Sequence, residues 1–95
     1  MATEDQPGLS FAGFIISLAT TAAVHFGDIA DPGTGQQNEP NLPAARQMID
    51  LIAMLQEKTR GNLTADEARL VDDLLYELRM RAIGAQQGGR GEDGS

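Results

Sequence analysis

Thr59-Arg60-Gly61-Asn62-Leu63-Thr64-Ala65-Asp66-Glu67 is the stretch whose reading decides the architecture. It reads as the end of one helix, a tight turn and the start of the next. Gly61, with Asn62 after it, suits the turn, because glycine takes the left-handed conformation that closes a helix. Thr64 is placed to cap the following helix. Glu67, three residues on, is placed to reach back to the Thr64 amide, which makes a capping box. The stretch therefore predicts an antiparallel helix hairpin. It specifies an architecture and no activity.

Outward from this turn, the preceding helix is expected over 43–60. Pro43 suits a first helical turn, where its missing amide is not needed. Ala45, Met48, Ile49, Ile52 and Leu55 form an apolar stripe at helical spacing, widened by Leu51 and Met54. Arg46, Asp50 and Glu57 lie on the far side, and Lys58 and Arg60 complement the helix dipole in the last turn. The following helix is expected over 65–83. Its core face is Leu70, Val71, Leu74, Leu75 and Leu78, with Asp72, Asp73, Glu77 and Arg81 toward water. Glu77 and Arg81 have the spacing of an ion pair worth a few tenths of a kcal/mol. Gly84 is the expected end. Ala85 to Ser95 holds four more glycines and no large apolar group, and is expected to be disordered.

The first helix is expected over 11–26, after a flexible lead-in over 1–9. Ser10 is its N-cap and Gly27 its close. No Asp, Glu, Lys or Arg occurs from Gln6 through Gly27. Phe11, Phe14, Ile15, Leu18, Ala22 and Phe26 make one wide apolar face. Ala12, Ile16, Ala19 and Ala23 make a second row. Gly13 and Ser17, and likewise Ala19 and Ala23, are small residues four apart, a spacing that admits a close helix neighbour. A helix apolar on most sides must be covered on most sides, and two further helices in one short chain do not suffice. The expected fold is thus all-α, three helices, completed by homo-oligomerisation through Phe11, Phe14, Ile15, Leu18, Ala22 and Phe26. Residues 28–42 form a long loop in which Asp31-Pro32-Gly33-Thr34-Gly35 is turn chemistry.

Composition narrows the function classes. The chain has 95 residues, room for one domain. It has no cysteine, hence no disulfide and no thiolate nucleophile or ligand. Seven basic against 14 acidic residues give a net charge of −7. Nucleic acid is disfavoured as a partner, because its binding rests on cations meeting phosphates. An anionic membrane surface is disfavoured for the same reason. Met1 to Asp5 is acidic where a secretory signal is basic, so the expected compartment is cytoplasmic. The apolar segment of the first helix is short of the roughly 20 residues a membrane span needs. Peripheral membrane attachment through this helix is the alternative to a protein-covered one.

Residues that invite chemistry have plainer readings. His25 is the sole histidine and could act as a base beside Asp28, but no second catalytic group accompanies it. Its plain reading is a dipole-compatible residue at a helix C-terminus. Asp28, Asp31, Thr34 and Glu39 do not follow the spacing of a calcium loop. Gly33-Thr34-Gly35 lacks the strand and the Lys-Ser/Thr of a phosphate loop. A DNA-reading helix hairpin is opposed by the acidity of the third helix. Tyr76 and Met80 lie off the core stripe, either as a contact patch or as ordinary exposure. The reading is of a protein that is no enzyme, with no cofactor and no metal, and with a protein for its partner.

Several segments together carry a resemblance. They are Ser10-Phe11 with the Ala-rich helix ending His25-Phe26-Gly27, then Asp31-Pro32, Thr34-Gly35, Asn41-Leu42 and Ala45-Arg46. Further along come Ile49-Asp50-Leu51, Leu55, Glu57-Lys58-Thr59, Gly61-Asn62-Leu63-Thr64, Glu67, Leu74-Leu75-Tyr76 and Leu78-Arg79. This pattern, over about residues 10 to 80, resembles the small bacterial family catalogued as domain of unknown function 1844. Met80-Arg81-Ala82-Ile83 departs from it where the family has an aromatic. The resemblance implies a helical domain of a cytoplasmic bacterial protein. It implies no activity and carries over no catalytic residue.

Overall fold

A computed structural model describes residues 10–37 and 39–94, with the side chains of the last helix described as far as Gln86. Three helices make up the fold: α1 (Phe11–Phe26), α2 (Leu42–Lys58) and α3 (Ala65–Gly94). Each helix packs against both others. Among the described residues there is no strand.

Local chemistry sets the helix ends. The Ser10 hydroxyl accepts from the Gly13 amide at 2.9 Å. Gly27, at φ 83°, closes α1. Its amide donates to Val24 at 2.9 Å and the Asp28 amide donates to Ala23 at 3.0 Å, which together form a Schellman motif. Asn41 caps α2 through the Ala44 amide, and the helix begins at Leu42, one residue ahead of the expected start. Thr59 turns its hydroxyl back to the Leu55 carbonyl at 2.7 Å and ends the helix at Lys58. Gly61 has φ 87°. The Thr64 hydroxyl accepts from the Glu67 amide at 3.1 Å, and Glu67 Oε1 accepts from the Thr64 amide at 2.9 Å.

The core gathers where the three apolar stripes meet. Ile15, Ala22 and Phe26 of α1 lie against Ala45, Ile49 and Ile52 of α2 and Val71, Leu75 and Leu78 of α3. Met48, Leu55 and Leu74 are partly buried around this centre. Met54 remains half-exposed.

The third helix differs from its expected extent. It does not stop at Ile83, because Gly84 has no positive φ and the helix is continuous to Gly94. The expected disordered tail is, as far as Gly94, helical backbone. Tertiary contact supplies a reason: Ala82 and Ala85 pack on the core, and Arg46 of α2 donates to Gln86 Oε1 at 2.7 Å. These contacts reach as far as Gln86 and offset the roughly 1 kcal/mol penalty of a helical glycine at Gly84.

Arg81 also differs. It does not pair with Glu77, its neighbour one turn back. It reaches Asp28, with Nε to Oδ2 at 2.7 Å and Nη2 to Oδ1 at 2.6 Å. Its guanidinium also lies over the Phe26 ring, 5.2 Å from the centroid. A bidentate fork plus a ring face outweighs a single exposed helix pair.

Candidate functional site: the outer face of the first helix

An α-helix turns 100° per residue, so α1 presents two faces. The inner one holds Ile15 and Ala22, both fully buried, and Phe26, 3% exposed. Phe11 and Leu18 pack at its edges. This corrects the expected interface. Ile15, Ala22 and Phe26 are covered by α2 and α3 of the same chain, so a second molecule does not reach them. Phe14 alone of that set is half-exposed.

The outer face is open at Phe14, Ile16, Ser17 and Thr21, while Val24 near its end is buried. Ile16 and Phe14, each 49% exposed, stand toward its two edges. Ile16 borders a groove of about 520 Å³, and Phe14 stands outside its lining. Gly13, Ser17, Thr20 and Thr21 form its floor, Val24 and His25 lie toward the helix end, and Asp31 and Pro32 of the following loop close it. The floor is low because its side chains are small. Two of its three hydroxyls are already used: Ser17 Oγ donates to the Phe14 carbonyl at 2.7 Å and Thr21 Oγ1 to the Ser17 carbonyl at 3.0 Å. Bonding back to the preceding turn satisfies the donors of these two hydroxyls.

The loop that closes the groove is ordered by its own polar groups. Asp31 Oδ1 accepts from Gly33 at 2.8 Å, the Asp31 carbonyl accepts from Gly35 at 2.7 Å, and Thr34 accepts from the Gln36 amide at 3.2 Å. Gly35, at φ 75°, makes this turn. Gln37 donates to the Gly27 carbonyl. The Asn41 amide donates to the His25 carbonyl at 2.7 Å, tying the start of α2 to the end of α1.

These bonds account for the groups that invited a chemical reading. Both Asp28 oxygens go to Arg81 and none to His25. The Arg81 hydrogen bond holds the Asp28 carboxyl below its ordinary value against a partial loss of solvent, and the Asp28 bond raises Arg81 in turn. Asp31 and Thr34 are turned into their own loop. Among the described residues, no three His, Asp or Glu side chains come together as a metal site would require. A second hollow, of about 400 Å³ between α2 and α3, is bordered by charges of both signs, Arg46, Arg79 and Asp50. Tyr76 and Met80 are exposed, at 67% and 50%.

The sequence matches the family described as Domain of unknown function (DUF1844) over residues 8–83. The chain belongs to that family. No curated protein and no solved structure matches it. Among the described residues, no helix is long and apolar enough to cross a membrane.

Sequence reasoning noted Gly13 and Ser17 as small residues at contact spacing, which was the available signal for this groove. It missed Pro32 and Asp31 as its wall, because nothing local says that a loop folds back along the helix before it.

Proposed function

We propose that this protein is a non-catalytic helical interaction module of the cytoplasm that associates with itself through α1. The observation that carries the reading is the outer face of α1, where Phe14 and Ile16 stand half-exposed and Ile16 borders an uncharged floor. The frame holding that face is read as an antiparallel α2–α3 hairpin. Two bonds support this: Arg46, early in α2, meets Gln86, late in α3, and Gln56, late in α2, meets Asp72, early in α3. The acids best placed for chemistry serve as turn and clasp residues, which supports a role in contact and not in catalysis. Sedimentation at micromolar concentration tests the reading. The expected result is an oligomer, and a monomer throughout that range would remove it.

A peripheral membrane role would use the same two apolar side chains. The net charge of −7 works against it on anionic lipid.

A further inference from the structure

We infer that the outer groove of α1 is occupied by α1 of a second copy, the two helices packing antiparallel about a two-fold axis near Ser17. This rests on the self-association proposed above and names its seam. Charge is the first argument. The exposed faces of α2 and α3 carry charges of both signs, Asp50, Glu57, Asp72, Asp73 and Glu77 beside Arg46, Lys58, Arg69 and Arg79, so two copies that meet there must strip water from many charged groups. The outer face of α1 is free of Asp, Glu, Lys and Arg along its whole length. The groove's one carboxylate belongs to Asp31 at its wall, which accepts a hydrogen bond from its own loop. This is the helix face that an identical partner can cover without desolvating a charged side chain of the helix itself.

Shape is the second argument. A two-fold contact uses one patch twice, so the patch must complement itself. Here Ile16 rises beside a low floor at Gly13 and Ser17, and Phe14, outside the groove lining, stands exposed on the opposite flank by its helical spacing. An antiparallel copy sets its Phe14 and Ile16 against the partner's floor, and receives the same in return. The hydroxyls of Ser17 and Thr21 are bonded within α1, so covering these two leaves their donors paired.

The absence of cysteine makes a direct test possible. Ser17→Cys and, as a control on the far side of α3, Tyr76→Cys are oxidised separately at micromolar concentration. The expected result is a disulfide-linked dimer from Ser17→Cys and none from Tyr76→Cys. Ser17→Arg should weaken association by about tenfold or more with helical content unchanged, since it buries an unpaired charge in the seam. Association that survives Ser17→Arg, with cross-linking through Tyr76→Cys, would keep the self-associating module and overturn this seam. A wild-type monomer would remove both. A wild-type monomer that pellets with phosphatidylcholine vesicles would assign the face to lipid and overturn the inference as well.

Discussion

The two faces of α1 are made of similar residue types and have opposite fates. The inner face, through Ile15, Ala22 and Phe26, is sealed by the chain's own α2 and α3. The outer face, through Phe14, Ile16 and Ser17, is left open. Hydrophobicity alone does not separate them. What separates them is the width that two further helices can cover, which ends at the edges of one stripe. The inner face therefore belongs to folding, and the outer face is the one proposed for association.

The sharpest way to break this contrast is a pair of adjacent substitutions. Ile15→Ala removes a fully buried side chain and should cost about 2–5 kcal/mol. That is a large part of the roughly 5–15 kcal/mol that holds a small domain together. Ile16→Ala, one residue on but half-exposed, should change unfolding free energy by no more than about 0.5 kcal/mol. It should instead loosen self-association. Denaturant midpoints measured at high dilution, beside sedimentation at higher concentration, read the two effects separately. Equal losses of unfolding free energy would erase the distinction between the faces.

A smaller effect tests where the inner face ends. Asp28 and Arg81 clasp the end of α1 to α3 just beyond Phe26, and both side chains are more than a third exposed. Asp28→Asn should cost about 1 kcal/mol, the upper range for an exposed pair. The sign of its pH dependence follows from the lowered carboxyl of Asp28. The folded state favours the charged form, so the contribution is full above the unfolded carboxylate value of about 3.9 and is lost as pH falls through the lower folded one. The gap between wild type and Asp28→Asn should stay constant from neutrality to about pH 5 and close below about pH 4. A gap that widens on acidification would refute the clasp. Association at neutral pH should be unaffected, because the clasp serves the inner face.

How much of this was legible in the residues depends on the range of the interaction responsible. Caps are local, so Ser10 with Gly13, Gly27, and Thr64 with Glu67 could be read within four residues of one another, and the bounds of α1 followed. Arg81 could not be read that way. Its local partner Glu77 was visible, while Asp28 lies 53 residues away and becomes a neighbour only after folding. The open face of α1 was obscured for a different reason. Apolar residues surround that helix, so periodicity shows that it is buried and not which row is buried. The groove wall at Pro32 depends on a loop folding back, which turn chemistry permits but does not direct.

Gly84 gives the finest test, because two physical arguments oppose each other there. Local propensity says that a glycine before a glycine-rich segment stops a helix. Packing says otherwise: Ala82 and Ala85 rest on the core and Gln86 meets Arg46, so the helical path through Gly84 is held from both sides. No atom lies within 4 Å of where a Cβ would stand at this residue, and its φ is not positive. Gly84→Ala therefore meets neither clash nor strain. It should stabilise by about 0.5–1 kcal/mol, the difference between alanine and glycine inside a helix. The same change at Gly61, where φ is 87°, should destabilise, since alanine is strained there. Opposite signs at these two glycines, read as opposite shifts in denaturant midpoint, would establish that α3 continues past Gly84 and seals the inner face. A neutral or destabilising Gly84→Ala would mean that the helix ends near Ile83 and that the core closes without it.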